Sequence, residues 1–239
     1  MGLRRKLLSP RGKCVFWLCG DDAPKTNASG TTWWPLRIGP TMYFRFQGNA
    51  YYDDSDHTYV VGQTNNDYLI SSEKSKFDMG HHFRFEYDLY VNRSLSGNNS
   101  LVWFDVGALG NAAKAINFGL GTNATGTNGT NYEGYTMSWK LQGNYSSPFP
   151  LPWTHPALPL PKDGEYHHVV GCNEIIDGGD GYDRYVATIN GLSKKYDTQV
   201  PKVNYGPPWS GGSFYIGRGW NTGYFCACKI RNIKIYTMD

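Results

Sequence analysis

Apolar and polar residues alternate along much of this chain. Met42, Phe44 and Phe46 share one side of a segment whose other side holds Tyr43, Arg45 and Gln47, and Gly48-Asn49 follows as a turn. That period of two predicts a half-buried strand. The pattern is clearest from His82 to Val91, where Phe83, Phe85, Tyr87, Leu89 and Val91 predict a core face. Arg84, Glu86, Asp88 and Tyr90 then make the opposite, solvated face. Further strands are expected over residues 101–106, 135–141, 166–172, 184–189, 213–216 and 226–236, with 112–118 a single helical turn or a small-faced strand. Asn190-Gly191 has the chemistry of a two-residue hairpin turn.

Between these segments lie stretches that cannot be central strand. Residues 119–134 are dominated by Gly, Asn and Thr, and prolines recur from Pro148 to Pro161, each lacking a ladder donor. Helical periodicity never persists for three turns, and no repeat period suggests a solenoid or propeller. Short strands with frequent turn signals predict an all-β sandwich or barrel. Composition agrees: of 20 acids only five are Glu, while Gly 29, Tyr 18 and Trp 8 favour turns and strands.

Charge separates the N-terminus from the rest. Arg4, Arg5, Lys6, Arg11 and Lys13 precede the first acid, Asp21, so of 23 basic residues 18 remain against 20 acids, a net −2. Such a body is not built to track a phosphate backbone, and no nucleic-acid partner is expected. Residues 1–30 read as a basic arm, and residues 31–239 as one domain. The arm's apolar cluster, Val15 to Leu18, is expected to pack on a partner chain or another region rather than join the core, giving assembly into a homo-oligomer or virion. No convincing signal peptide and no membrane span are present, so no membrane insertion is expected. Five cysteines leave at least one thiol unpaired within the chain. Six Asn-x-Ser/Thr sequons, at Asn27, Asn92, Asn98, Asn123, Asn128 and Asn144, suit either a secreted glycoprotein or chance in Asn-rich loops.

Three segments carry a resemblance. Tyr166-His167-His168-Val169-Val170, Tyr185 through Asn190-Gly191, and Phe214-Tyr215-Ile216-Gly217-Arg218 followed by residues 230–236 resemble the laminin-G-like branch of the concanavalin A-like lectin-glucanase superfamily. The resemblance implies a two-sheet antiparallel jelly-roll sandwich whose outer face and rims bind a glycan or a surface protein. A surface-type fold without a convincing signal peptide is expected on a virion or extracellular surface. Two alternatives are a structural virion decoration or fibre protein without a specific ligand, and a polysaccharide hydrolase.

The hydrolase branch uses paired glutamates around an Asp, and Glu174 to Asp180 lacks the second Glu, so no enzyme is expected. Glu86 and Asp88 share a strand face that solvation explains more simply. Ligand binding is expected at Trp33, Trp34, Trp153, Trp209, Trp220, Asn221 and Tyr224, because rings in loop-like sequence stack on sugars while amides meet hydroxyls. No cofactor is expected unless Asp53, Asp54 and Asp56 gather oxygens for calcium, the alternative being a plain acidic loop. Gly178 to Asp183 matches a single copy of a calcium nonapeptide that functions only in stacks. His168 is expected to be a satisfied structural histidine on the face of Tyr166 and Val170, and no transition metal is expected.

Overall fold

A computed structural model describes residues 12–64, 66–74, 83–91, 100–106, 116–122, 135–141, 164–177, 182–189, 192–201, 213–217 and 228–237. These residues form strands, turns and bends, without a helix. The chain is all-β, and every strand pair is antiparallel within one of two sheets.

The first sheet runs β14 (Leu192–Pro201), β13 (Tyr182–Ile189), β12 (Tyr166–Asp177), β8 (Phe83–Val91), β16 (Cys228–Thr237), β6 (Thr58–Val61) and β5 (Tyr51–Asp53), and β1 (Lys13–Leu18) also pairs with β16. The second runs β11 (Tyr135–Leu141), β10 (Ile116–Thr122), β9 (Ser100–Val106), β15 (Ser213–Ile216), β7 (Tyr68–Lys74), β4 (Tyr43–Gln47), β3 (Thr32–Pro35) and β2 (Lys25–Thr26). One edge of β16 serves two partners: β6 takes Cys228 to Ile230, and β1 takes Ile233 to Thr237. The change-over falls at Asn232, whose φ of 54° is the left-handed conformation that Asn tolerates better than most residues.

Alternation sorts the two faces of each sheet. Phe85, Tyr87 and Leu89 of β8, Ile230, Ile233 and Ile235 of β16, and Tyr59 and Val61 of β6 are buried inward. From the second sheet Phe44, Leu69, Phe214 and Ile216 meet them. Phe16 bridges the layers, with its ring 5.8 Å from Phe44 and 5.1 Å from Phe214. Close approach also fixes Gly217, where φ is 91° and a Cβ would lie 2.6 Å from the Cβ of Val61.

The N-terminal expectation needs correcting. Residues 13–18 are not part of a detached arm: β1 is a strand of the first sheet, and Phe16, Leu18 and Cys19 are fully buried. The physical reason is the cluster's own alternation, which sends Phe16 and Leu18 into the sandwich and leaves Trp17 on the outer side. Residues 1–11, with Arg4, Arg5, Lys6 and Arg11 of the five N-terminal positive charges, lie outside the described residues. Elsewhere residues 116–122 are strand rather than helical turn. Ile189 pairs with Leu192, as a two-residue hairpin requires, while Asn190 and Gly191 themselves lie outside the described residues.

Candidate functional site: the outer face of the first sheet

Strand register assembles a polar and aromatic surface on the outer side of β12, β8 and β16. Tyr166, Tyr90 and Lys229 are cross-strand neighbours, as are His168, Asp88 and Arg231 one step along. The next step places Glu86 beside Lys234, and Lys234 beside Trp17 of β1. Each of these residues points outward because its strand sends the alternating apolar residues into the core.

The groups hold one another in place. The rings of Tyr90 and Tyr166 are 5.2 Å apart, and the Arg231 guanidinium lies 4.2 Å from the centre of the Tyr166 ring. Tyr166 Oη donates to Asp56 Oδ2 at 2.5 Å, and Arg231 donates from its Nη1 to the Asp56 carbonyl at 3.1 Å. Lys229 Nζ reaches Asp53 Oδ2 at 2.7 Å and Asp56 Oδ2 at 3.0 Å. Asp88 joins His168 Nδ1 at 2.9 Å and accepts from Asn232 Nδ2 at 2.9 Å. Arg231 Nε stands 3.7 Å from Asp88 Oδ2, beyond hydrogen-bond reach, and is a buried donor without a partner among the described residues. Charge-assisted bonds of this kind fix geometry more firmly than neutral ones.

Titration follows from these contacts. Hydrogen bonds from Lys229 and then Ser55 lower the Asp53 carboxyl to about 2. The same pairing raises the Lys229 ammonium, chiefly through Asp53. Burial alone would raise Asp88, but hydrogen bonds from His168 and Asn232 outweigh it and leave the group lowered. Asp56 behaves alike, with burial opposed by Thr58, Tyr166 and Lys229. Burial, then the bond to Asp56, raises the Tyr166 phenol to about 12. The surface is thus a set of fixed donors, acceptors and rings whose charges pair off.

Several expected site residues fall differently. Trp34 is a core residue, 6% exposed, with its ring 4.6 Å from Phe46 and 6.2 Å from Tyr59. Adjacent strand residues face opposite ways, so only Trp33 of that pair is on the outside. Trp153, Trp209, Trp220, Asn221 and Tyr224 lie outside the described residues. Of the three aspartates, Asp54 is exposed, while Asp53 and Asp56 are already neutralised by an ammonium. That donor set does not fit calcium, which needs six to eight oxygens around one point. Among the described residues no group of three or more His, Cys, Asp or Glu is placed to hold a metal.

Two further corrections concern the strand pair at the centre. Glu86 is not solvated: it is 4% exposed and accepts from Arg84 Nε at 2.5 Å. His168 shares a face with Tyr166 as expected but is an exposed group at the surface, and His167 is the buried one of the pair. The signal that could have located this face was the conjunction of outward Tyr90, Tyr166 and Arg231 on strands that pair. Reading it required the register between β8, β12 and β16, which links residues many tens of positions apart in the chain.

No family model matches this chain, and no curated protein matches it. Among solved structures it is similar to domain 4 of AbnA, an extracellular GH43 arabinanase of Geobacillus stearothermophilus, in complex with arabinotriose. The two are 13% identical with a TM-score of 0.50 over 95% of this chain and 94% of that one. It is also similar to the receptor-binding domain of botulinum neurotoxin type G, at 10% identity and a TM-score of 0.47. That match covers 94% of this chain and 47% of the toxin chain, so the protein spans about half of it. A third is the alginate lyase Aly36B in complex with alginate trisaccharide, at 12% identity and a TM-score of 0.43, covering 95% and 99%. At such identity the likeness to the arabinanase domain speaks to the β-sandwich fold alone.

Proposed function

We propose that this protein is a non-catalytic carbohydrate-binding module of the concanavalin A-like type, with its ligand on the outer face of β8, β12 and β16. The observation that carries the reading is the Tyr166 ring, set beside Tyr90, capped by Arg231 and tied to Asp56. A sugar presents an apolar face to such rings and hydroxyls to fixed groups, here His168, Asp88 and Lys229. Because the surrounding cations and carboxylates largely pair with one another, an uncharged oligosaccharide suits the face best. The arabinotriose in the arabinanase domain makes pentose oligosaccharides the first to try.

The central carboxylates support recognition without turnover. Retaining hydrolysis needs an acid and a nucleophile about 5–5.5 Å apart, both open to the substrate. Glu86 is buried and bonded to Arg84, which leaves Asp88 alone of that pair at the surface. Calorimetry with a panel of neutral oligosaccharides tests the proposal. Tyr166→Ala should weaken binding about tenfold or more, as loss of a central aromatic anchor does. A panel that gives no binding, or a Tyr166→Ala chain that is folded and binds as tightly as its parent, refutes it.

A further inference from the structure

The second sheet carries a surface of different electrical character at its β2, β3 and β4 edge. Lys25 lies across from Trp33. The register Trp34 to Phe44 and Pro35 to Tyr43, continued by one residue, sets Arg45 on the other side of Trp33. Lys25, Trp33 and Arg45 therefore form a row across three strands. Neighbouring strands stand about 4.8 Å apart, so the two cations flank the indole with their strands roughly 10 Å apart. Tyr43 completes the group, its ring 5.5 Å from Trp33 and 5.9 Å from the Arg45 guanidinium. Lys25, Tyr43 and Arg45 are exposed, and Trp33 is half-buried.

Charge sets this patch apart from the face of the first sheet. There Lys229, Arg231 and Arg84 each face a carboxylate. Here neither Lys25 nor Arg45 meets a carboxylate among the described residues. The outward residues of β3, β4 and β7 as far as Ser72 include no acid. Two uncompensated cations beside a tilted aromatic pair fit a ligand with a flat apolar surface and spaced negative charges. In an extended polysaccharide each sugar advances by about one strand spacing, roughly 5 Å, so charges two sugars apart would match the two cations.

We propose that Lys25, Trp33, Tyr43 and Arg45 form a second binding site, for an acidic polysaccharide bearing carboxylate or sulfate groups. Trp33 and Tyr43 stack on the sugar rings, and Lys25 and Arg45 pair with the anions. A single-stranded nucleic acid has rings and anions too. Proteins that hold such a strand track its backbone along a positively charged groove, and two cations flanking one indole do not make such a groove, which disfavours it. This site is independent of the one on the first sheet, and either can fail alone.

The test is affinity electrophoresis and calorimetry of the full chain with polygalacturonate, dextran sulfate, uncharged dextran and oligo-dT. At least one acidic polysaccharide should bind, and comparison of the two separates carboxylate from sulfate. Trp33→Ala should cost about tenfold. Lys25→Gln and Arg45→Gln should each cost about threefold at low salt, a gap that closes in ~0.5 M NaCl. Tyr166→Ala should leave this binding unchanged, and uncharged dextran should respond to none of the three second-sheet substitutions. The proposal is overturned if neither acidic polymer binds, if the triple variant binds like its parent while folded, or if oligo-dT binds more tightly than both. Loss of acidic-polymer binding in Tyr166→Ala overturns it as well.

Discussion

Asp53 and Lys229 show how single side chains tie the edge of the first sheet to its centre. The carboxyl is lowered to about 2 by Lys229 and Ser55, from an ordinary value near 3.8. A depressed carboxylate contributes stability that is fully present above its unfolded value and lost as pH falls toward the folded one. Thermal midpoints should therefore drop between about pH 4 and pH 2, and Asp53→Asn should flatten part of that drop. Midpoints whose fall through this window is the same in Asp53→Asn would remove the pair from the account. Gly217 makes a steric prediction. With φ at 91° and Val61 in the way of any Cβ, Gly217→Ala should destabilise the fold by about 1–3 kcal/mol in denaturant titration.

At the scale of elements, β1 distinguishes an integral strand from a docking arm. Phe16 is fully buried between the sheets, so Phe16→Ala should cost about 3–5 kcal/mol, read from chemical unfolding. Removal of residues 1–18 should abolish cooperative unfolding, because it takes out β1. A stable, cooperative chain lacking residues 1–18 would restore the arm. Alternation made β4, β8 and β16 legible in the sequence, because period two is a local signal that tertiary packing reinforces. The same signal was present at Val15 to Leu18, where five nearby positive charges and a lone short segment favoured a tail. Trp34 was misplaced for a related reason: a Trp-Trp pair in polar sequence looks like loop until β2 and β4 are known to flank it.

The whole molecule places two unlike surfaces on opposite outer sides of one sandwich. The first is a network in which cations and carboxylates largely compensate around two tyrosines; the second sets Trp33 and Tyr43 among unopposed cations. The fold class was legible because strand-forming patterns recur along the chain. The first site was not, since it exists only once β8, β12 and β16 are in register, and no local run of residues announces it. The carboxylate strand face that looked solvated is where burial and pairing concentrate, with Glu86 packed away and Asp88 holding His168 and Asn232. The central claim is that an uncharged oligosaccharide lies across Tyr90, Tyr166, His168 and Arg231, and backbone amide shifts in a two-dimensional NMR titration test it most directly. The account predicts shifts centred on residues 86–90, 166–168 and 229–232, with the amides of Trp33, Tyr43 and Arg45 unmoved. A bound oligosaccharide that shifts only residues elsewhere would contradict it.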